Sequence, residues 1–144
     1  MLSLVDFSSA FFFLGILLAV SALEAGGLLQ SLASWMDQVF HNKNIIVTLI
    51  GLVSAVIDNV PLTAAAMGMY DLLRYPMDSK IWEMLAYCVG SGGSILIIGS
   101  AAGVVVMGLE KVGFFWYVRR VSVPAMLGYF SGIAAYLVIC RVFP

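Results

Sequence analysis

Ser54-Ala55-Val56-Ile57-Asp58-Asn59-Val60-Pro61-Leu62-Thr63 sets one carboxylate in the middle of an otherwise apolar stretch. Residues 44–57 ahead of Asp58 and 62–70 behind it are almost wholly hydrophobic. A carboxylate at the centre of a membrane helix costs roughly 2.5–3.5 kcal/mol on insertion scales, so it rarely persists there without a task. Pro61 has no backbone N–H and is expected to break a helix at that point, freeing carbonyls beside the acid. An acid, an amide and loose carbonyls at membrane depth point to a cation or proton site.

The composition sets the solvent. The chain is 62% hydrophobic and 10% charged, with a mean hydropathy of +1.06, well outside the range of soluble domains. Its charges gather between apolar blocks, so the medium for most of the surface is lipid. A net charge of −1 leaves no electrostatic footprint for nucleic acid. Cys88 and Cys140 lie far apart, without metal-ligand spacing, and read as packing residues. The N-terminus lacks the basic stretch and cleavage site of a signal peptide, so its first apolar block is expected to be retained.

Outward from the acid, the chain reads as an all-α polytopic membrane protein forming a single transmembrane domain over 1–144. Spans are expected at 4–22, 81–109 and 121–140. Glu24, Ala25, Gly26 and Gly27 interrupt the first apolar block. Over 28–41, Leu28, Leu29, Leu32, Trp35, Met36, Val39 and Phe40 share one helical face, and Gln30, Ser31, Ser34, Asp37, Gln38 and His41 the other. That pattern predicts an amphipathic helix lying along the membrane surface.

Segments 44–57 and 62–73 are each too short to span. The first has 14 residues; at ~1.5 Å per residue these cover about 21 Å, against a hydrocarbon core of ~30 Å. Joined at Asp58–Pro61, they predict a re-entrant helical hairpin over 44–73, its tip shielded from lipid. Gly90-Ser91-Gly92-Gly93-Ser94 cuts the long apolar run 81–109 and predicts a broken transmembrane helix. Phe114-Phe115-Trp116-Tyr117, followed by Arg119 and Arg120, reads as an interfacial aromatic–basic belt. These crossings place Lys43, Arg74, Lys80 and Arg141 on one side and Lys111, Arg119 and Arg120 on the other, too even a split to fix orientation.

Asp58 can exchange a proton for a metal ion, because desolvation favours its neutral form and a bound cation its charged one. Asn59 offers a neutral oxygen ligand or an N-cap. Thr63 offers a hydroxyl, or bonds back to its own helix. Ser91 and Ser94 flank the glycines of the second break and are site candidates. Ser100 falls in Gly99-Ser100-Ala101-Ala102-Gly103, a small-xxx-small pattern more often concerned with packing, as is the Gly128/Gly132 pair. His41 reads as solvated, and Asp71, Asp78, Glu83 and Glu110 as water-accessible segment ends. No nucleophile–base set, phosphate loop or zinc spacing is present in the sequence, so an enzyme is not expected.

The stretches 54–70 and 90–103 closely resemble the hairpin and broken-helix motifs of NhaD-type sodium/proton antiporters. These belong to the broad ion-transporter superfamily that also holds arsenite and dicarboxylate carriers. The resemblance implies an inverted-repeat fold in which hairpin tips and unwound helices of two repeats meet at a central ion site. It implies Asp58 and Asn59 as Na⁺ and proton ligands of the C-terminal repeat, with Ser91 and Ser94 adding oxygens. It also places the mouth of the hairpin outside and Arg119–Arg120 in the cytoplasm. The expected partners are a lipid bilayer, Na⁺ or Li⁺, protons, and either the missing N-terminal repeat or a second copy; no cofactor is expected. The implied location is a membrane, a bacterial inner membrane by the family's usual setting. The alternatives are another carrier of the superfamily, for an anion or arsenite, and a non-transporting small membrane subunit.

Overall fold

The structure, a computed structural model, describes residues 7–70, 73 and 75–142. Asp71, Arg74 and the first residues of the expected span 4–22 lie outside the described residues. Every regular element among the described residues is helical.

The first apolar block forms α1, Phe7–Ala25. It stops where Gly27 adopts φ +72°, a left-handed conformation that glycine takes without strain. The chain leaves this turn bent by 72° into α2, Leu28–Phe40. The apolar face of α2 is shared between two surroundings. Leu29 and Ala33 are buried, with Met36 and Phe40 packed beside them, whereas Leu28, Leu32, Trp35 and Val39 stay exposed. Its polar face is more than solvated: Gln30 Nε2 donates to the Gly68 carbonyl (3.3 Å), and Asp37 pairs with Lys43.

Asn42 caps α3, Lys43–Val53, its side chain accepting from the Asn44 N–H at 2.9 Å. The chain then breaks over 54–58 and starts again as α4, Asn59–Met69. Pro61 acts otherwise than its chemistry suggests. It sits in the first turn of α4, where backbone N–H groups have no partner inside the helix. It therefore helps to begin α4, and the break precedes it. The two halves fold back on each other: Lys43 Nζ lies 5.0 Å above the Tyr70 ring and 5.7 Å above that of Tyr75. The start of α3 and the end of α4 thus lie near each other.

Helix α5, Lys80–Gly92, runs on through Gly90 and Ser91, so the interruption falls later than the glycines suggest, over 93–100. A single 3₁₀ turn, Ile97–Gly99, lies inside it, and Leu96 and Ser100 are extended. Helix α6, Ala101–Leu109, follows, capped by Ser100. The aromatic belt and the last span are one element: α7, Phe114–Tyr117, continues through a π turn at Val118–Ser122 into α8, Val123–Val142. This 29-residue unit is the one helix among the described residues long and apolar enough to cross a membrane; the bent α1–α2 pair passes only as a pair.

Helices α3 and α5 form the centre because their buried residues follow one pattern. Ile46, Val47, Ile50 and Gly51 on α3, with Ser54 just after it, repeat the spacing of Met84, Leu85, Cys88, Val89 and Gly92 on α5. Glycine lets the backbones touch. A Cβ on Gly51 would meet the Cys88 carbonyl at 2.6 Å, and one on Gly92 would collide with the Gly51 carbonyl. In lipid, where apolar burial alone does not drive helices together, such close van der Waals contact is what joins them. Cys88 is fully buried in this seam.

Helix α8 docks through tyrosines. Buried Tyr129 donates to the Thr48 carbonyl at 2.7 Å and stacks on Tyr87, whose hydroxyl sits against Gly132. Gly132 makes room, as its spacing suggests. Gly128 contributes its carbonyl instead, and a Cβ there would meet nothing. The outer faces remain apolar, with Leu109 76% and Phe115 82% exposed.

Candidate ion site at the hairpin tip

The crossing at Gly51 carries the C-terminal end of α3 against that of α5. Ser54, the residue after α3, is wholly buried there. Its Oγ lies 2.8 Å from the Val89 carbonyl and 2.5 Å from Asn59 Oδ1. The Asn59 amide in turn packs on Gly93, where any Cβ would collide with it. On the other flank, Gly99 abuts the Ser54 and Ala55 carbonyls; a Cβ there would lie 2.6 and 2.7 Å from them. The tip of the hairpin and the break after α5 are therefore one place, built by glycines through close approach.

Asp58 precedes α4 at this tip, half-buried. Among the described residues it has no ion pair, and its side chain does not cap α4. The C-terminal ends of α3 and α5 converge here, each equivalent to roughly −0.5 charge, while α4 begins at Asn59 with its positive end. Among the described residues, the Asp58 carboxylate thus lies beside two negative helix ends and one positive one, with no cationic side chain paired to it.

The other hydroxyls have defined partners. Thr63 Oγ1 donates to the Asn59 carbonyl at 2.7 Å, and Ser91 Oγ donates to the Tyr87 carbonyl at 2.5 Å. Both protons are thus committed to the helix backbone, while each oxygen keeps lone pairs that can still accept. Ser100 Oγ accepts from the Gly103 N–H at 3.1 Å and caps α6. Ser94 is exposed, and its carbonyl accepts from the Tyr117 hydroxyl at 2.8 Å, tying the break to the start of the final helix. No group of His, Cys, Asp and Glu able to hold a metal occurs among the described residues. His41 is exposed in the turn after α2.

Ser54 was not singled out by reasoning from the sequence. Its signal was the α3 burial pattern, which reaches residue 54 one turn past Ile50 and Gly51 and delivers a hydroxyl to the tip.

Residues 1–90, which contain the hairpin, match the family model described as Citrate transporter (CitMHS). The chain belongs to the citrate transporter family. Its similarity to individual members extends past the matched region. It is 58% identical to Sodium/proton antiporter 1 of Arabidopsis thaliana over 96% of this chain and 24% of that protein. It is 53% identical to Sodium/proton antiporter 2 of the same plant, again over 96% of this chain and 33% of the relative. The Na(+)/H(+) antiporter NhaD of Alkalimonas amylolytica is 34% identical over 92% of this chain and 26% of its own length. The NhaD resemblance carried by the two motifs thus holds over most of the chain. This citrate transporter family segment spans about a quarter to a third of the relatives it matches. Membership makes it part of an integral membrane protein of a transporter family. No solved structure matches it.

Proposed function

We propose that this chain forms one half of the ion site of a sodium/proton antiporter, with Asp58 as the group that exchanges a proton for Na⁺. The observation that carries this reading is the meeting of Asp58–Asn59 with the break after α5 at Gly93. The names of the relatives agree with it: the plant proteins and NhaD are called sodium/proton antiporters.

In this reading, helices 44–73 form a re-entrant hairpin, α2 lies at the membrane interface, and α5–α6 is a broken membrane helix. Asp58 and Asn59 are the primary ligands. Thr63, Ser91, Ser94 and Ser100 add oxygens, Thr63 and Ser91 as acceptors only. With the site open to the proton-rich side, Asp58 binds H⁺; opened to the other side, it releases the proton and takes Na⁺ or Li⁺. Because protonated Asp58 has lost the charge that binds the metal, the two ions compete for one carboxylate and are carried in turn. The antiporter needs no cofactor beyond its transported ions. An N-terminal repeat, or a second copy of this one, supplies the facing half of the site. The membrane is an energised one: a bacterial inner membrane on the NhaD likeness, or a plant membrane on the closer likeness to the Arabidopsis proteins.

Sodium-driven proton movement in vesicles holding the full-length protein tests this. Asp58→Asn is expected to abolish it, and unchanged activity in that variant would refute the assignment. An anion carrier is disfavoured at the same point, since a carboxylate with no ion pair among the described residues repels the substrate.

A further inference from the structure

The Ser54 hydroxyl has a single proton and two acceptors within reach, Val89 O at 2.8 Å and Asn59 Oδ1 at 2.5 Å. It can donate fully to only one. If it donates to Asn59 Oδ1, the amide holds its oxygen inward and turns its NH₂ group toward the tip. If it donates to Val89 O, the Ser54 oxygen is left to accept, and Asn59 turns over so that its NH₂ donates to Ser54 and Oδ1 faces the tip. Both arrangements use the same heavy-atom positions, because the two ends of an amide are nearly equal in shape. Gly93 leaves the amide room to turn, since any Cβ there would press on it.

We propose that Ser54 is a positioning residue that sets, through its one proton, whether Asn59 presents an oxygen or an NH₂ group to the ion. The inference rests on the antiport reading and deepens it. An oxygen at the tip is a ligand for Na⁺, whereas an NH₂ group carries partial positive charge and opposes it. The inward amide suits the empty or protonated site, and the outward amide the sodium-loaded one. Ser54 is itself wholly buried, so it acts without touching the ion. The Val89 carbonyl keeps its helical hydrogen bond from the Gly93 N–H (3.3 Å) in both arrangements, so the turn leaves no backbone group stranded.

The test is the apparent KM for Na⁺, with kcat, in vesicles holding the full-length protein. Ser54→Ala removes the selector, and Ser54→Cys fills the same space with a much weaker donor. Both are expected to raise the KM for Na⁺ by about 5–10-fold, the worth of one lost hydrogen bond, while kcat changes much less. Gly93→Ala restricts the amide from the opposite side without touching Ser54, and is expected to raise the same KM. A purely structural role would lower the amount of active protein or its melting temperature and leave KM alone; that pattern in the Ser54 variants overturns the proposal. If Ser54→Ala gives no folded protein, Ser54→Cys and Gly93→Ala carry the measurement. Wild-type protein showing no sodium-coupled proton movement would fell the underlying reading and this one together. Coupling lost in Asp58→Asn but an unchanged KM in the Ser54 and Gly93 variants would fell this one alone.

Discussion

On the proposed function, Asp58 and its neighbours divide into groups that face the ion and groups that hold the others in place. Ser91 shows how a hydrogen bond fixes which: its proton is committed to the Tyr87 carbonyl, so it can serve a cation but cannot donate to an anion. Ser91→Ala is expected to raise the KM for Na⁺ while changing thermal stability little, because a back-bonded hydroxyl adds almost nothing to a helix. Parallel transport and melting measurements on one preparation check both parts. Ser100 has a cap to lose as well. Ser100→Ala is expected to cost about 1 kcal/mol of stability by leaving the first turn of α6 uncapped, and Ser100→Thr to restore most of it. A denaturation series comparing the three proteins decides this. If Ser100→Ala melts like wild type, the cap is not holding the break together.

The α3–α5 seam is where small residues matter most. Gly51→Ala and Gly92→Ala each drive a methyl group into a carbonyl of the facing helix. Each is expected to destabilise by roughly 1–3 kcal/mol, as overpacking does. Gly90→Ala points into open space and is expected to be neutral or slightly stabilising, since alanine favours the helix. Thermal unfolding in detergent separates the two kinds of glycine, and equal effects at all three positions would contradict the close-contact account. The sequence made these elements legible to different degrees. The α2 periodicity, the paired short helices around Asp58 and the long final helix could be read because apolar spacing and segment length dictate them directly. The position of the second break could not, because Gly92 and Gly93 suggest backbone freedom in sequence, whereas here they answer to neighbours 41 and 34 residues earlier in the chain, Gly51 and Asn59. Pro61 misled in a similar way: its missing N–H suits a broken helix and a first helical turn equally, and only the fold chooses. Ser54 stayed hidden because nothing local distinguishes it from a packing serine; its role depends on Val89, 35 residues away.

At the scale of the whole molecule, the described residues present apolar surface outward. The chain spans about a quarter to a third of the relatives it matches. If the proposed site needs a facing half, these 144 residues alone are expected to give no sodium-driven proton movement in vesicles, and movement by them alone would contradict that need. The mouth of the hairpin is held by the Lys43–Asp37 pair and the Tyr70 and Tyr75 rings. Because that pair is partly exposed, Lys43→Met is expected to cost no more than about 1 kcal/mol. A larger loss in thermal unfolding would mean that the mouth contributes more to the fold than a surface pair can. The proposed transport depends on exchange of a proton for Na⁺ at the one carboxylate of Asp58. Calorimetric titration of Na⁺ into purified full-length protein, repeated in buffers of different ionisation enthalpy, reads the protons released as sodium binds. Sodium binding is expected to release protons, its affinity to fall as pH is lowered, and Asp58→Asn to suppress the release. Sodium binding with no proton release, or with release unchanged in Asp58→Asn, would contradict it.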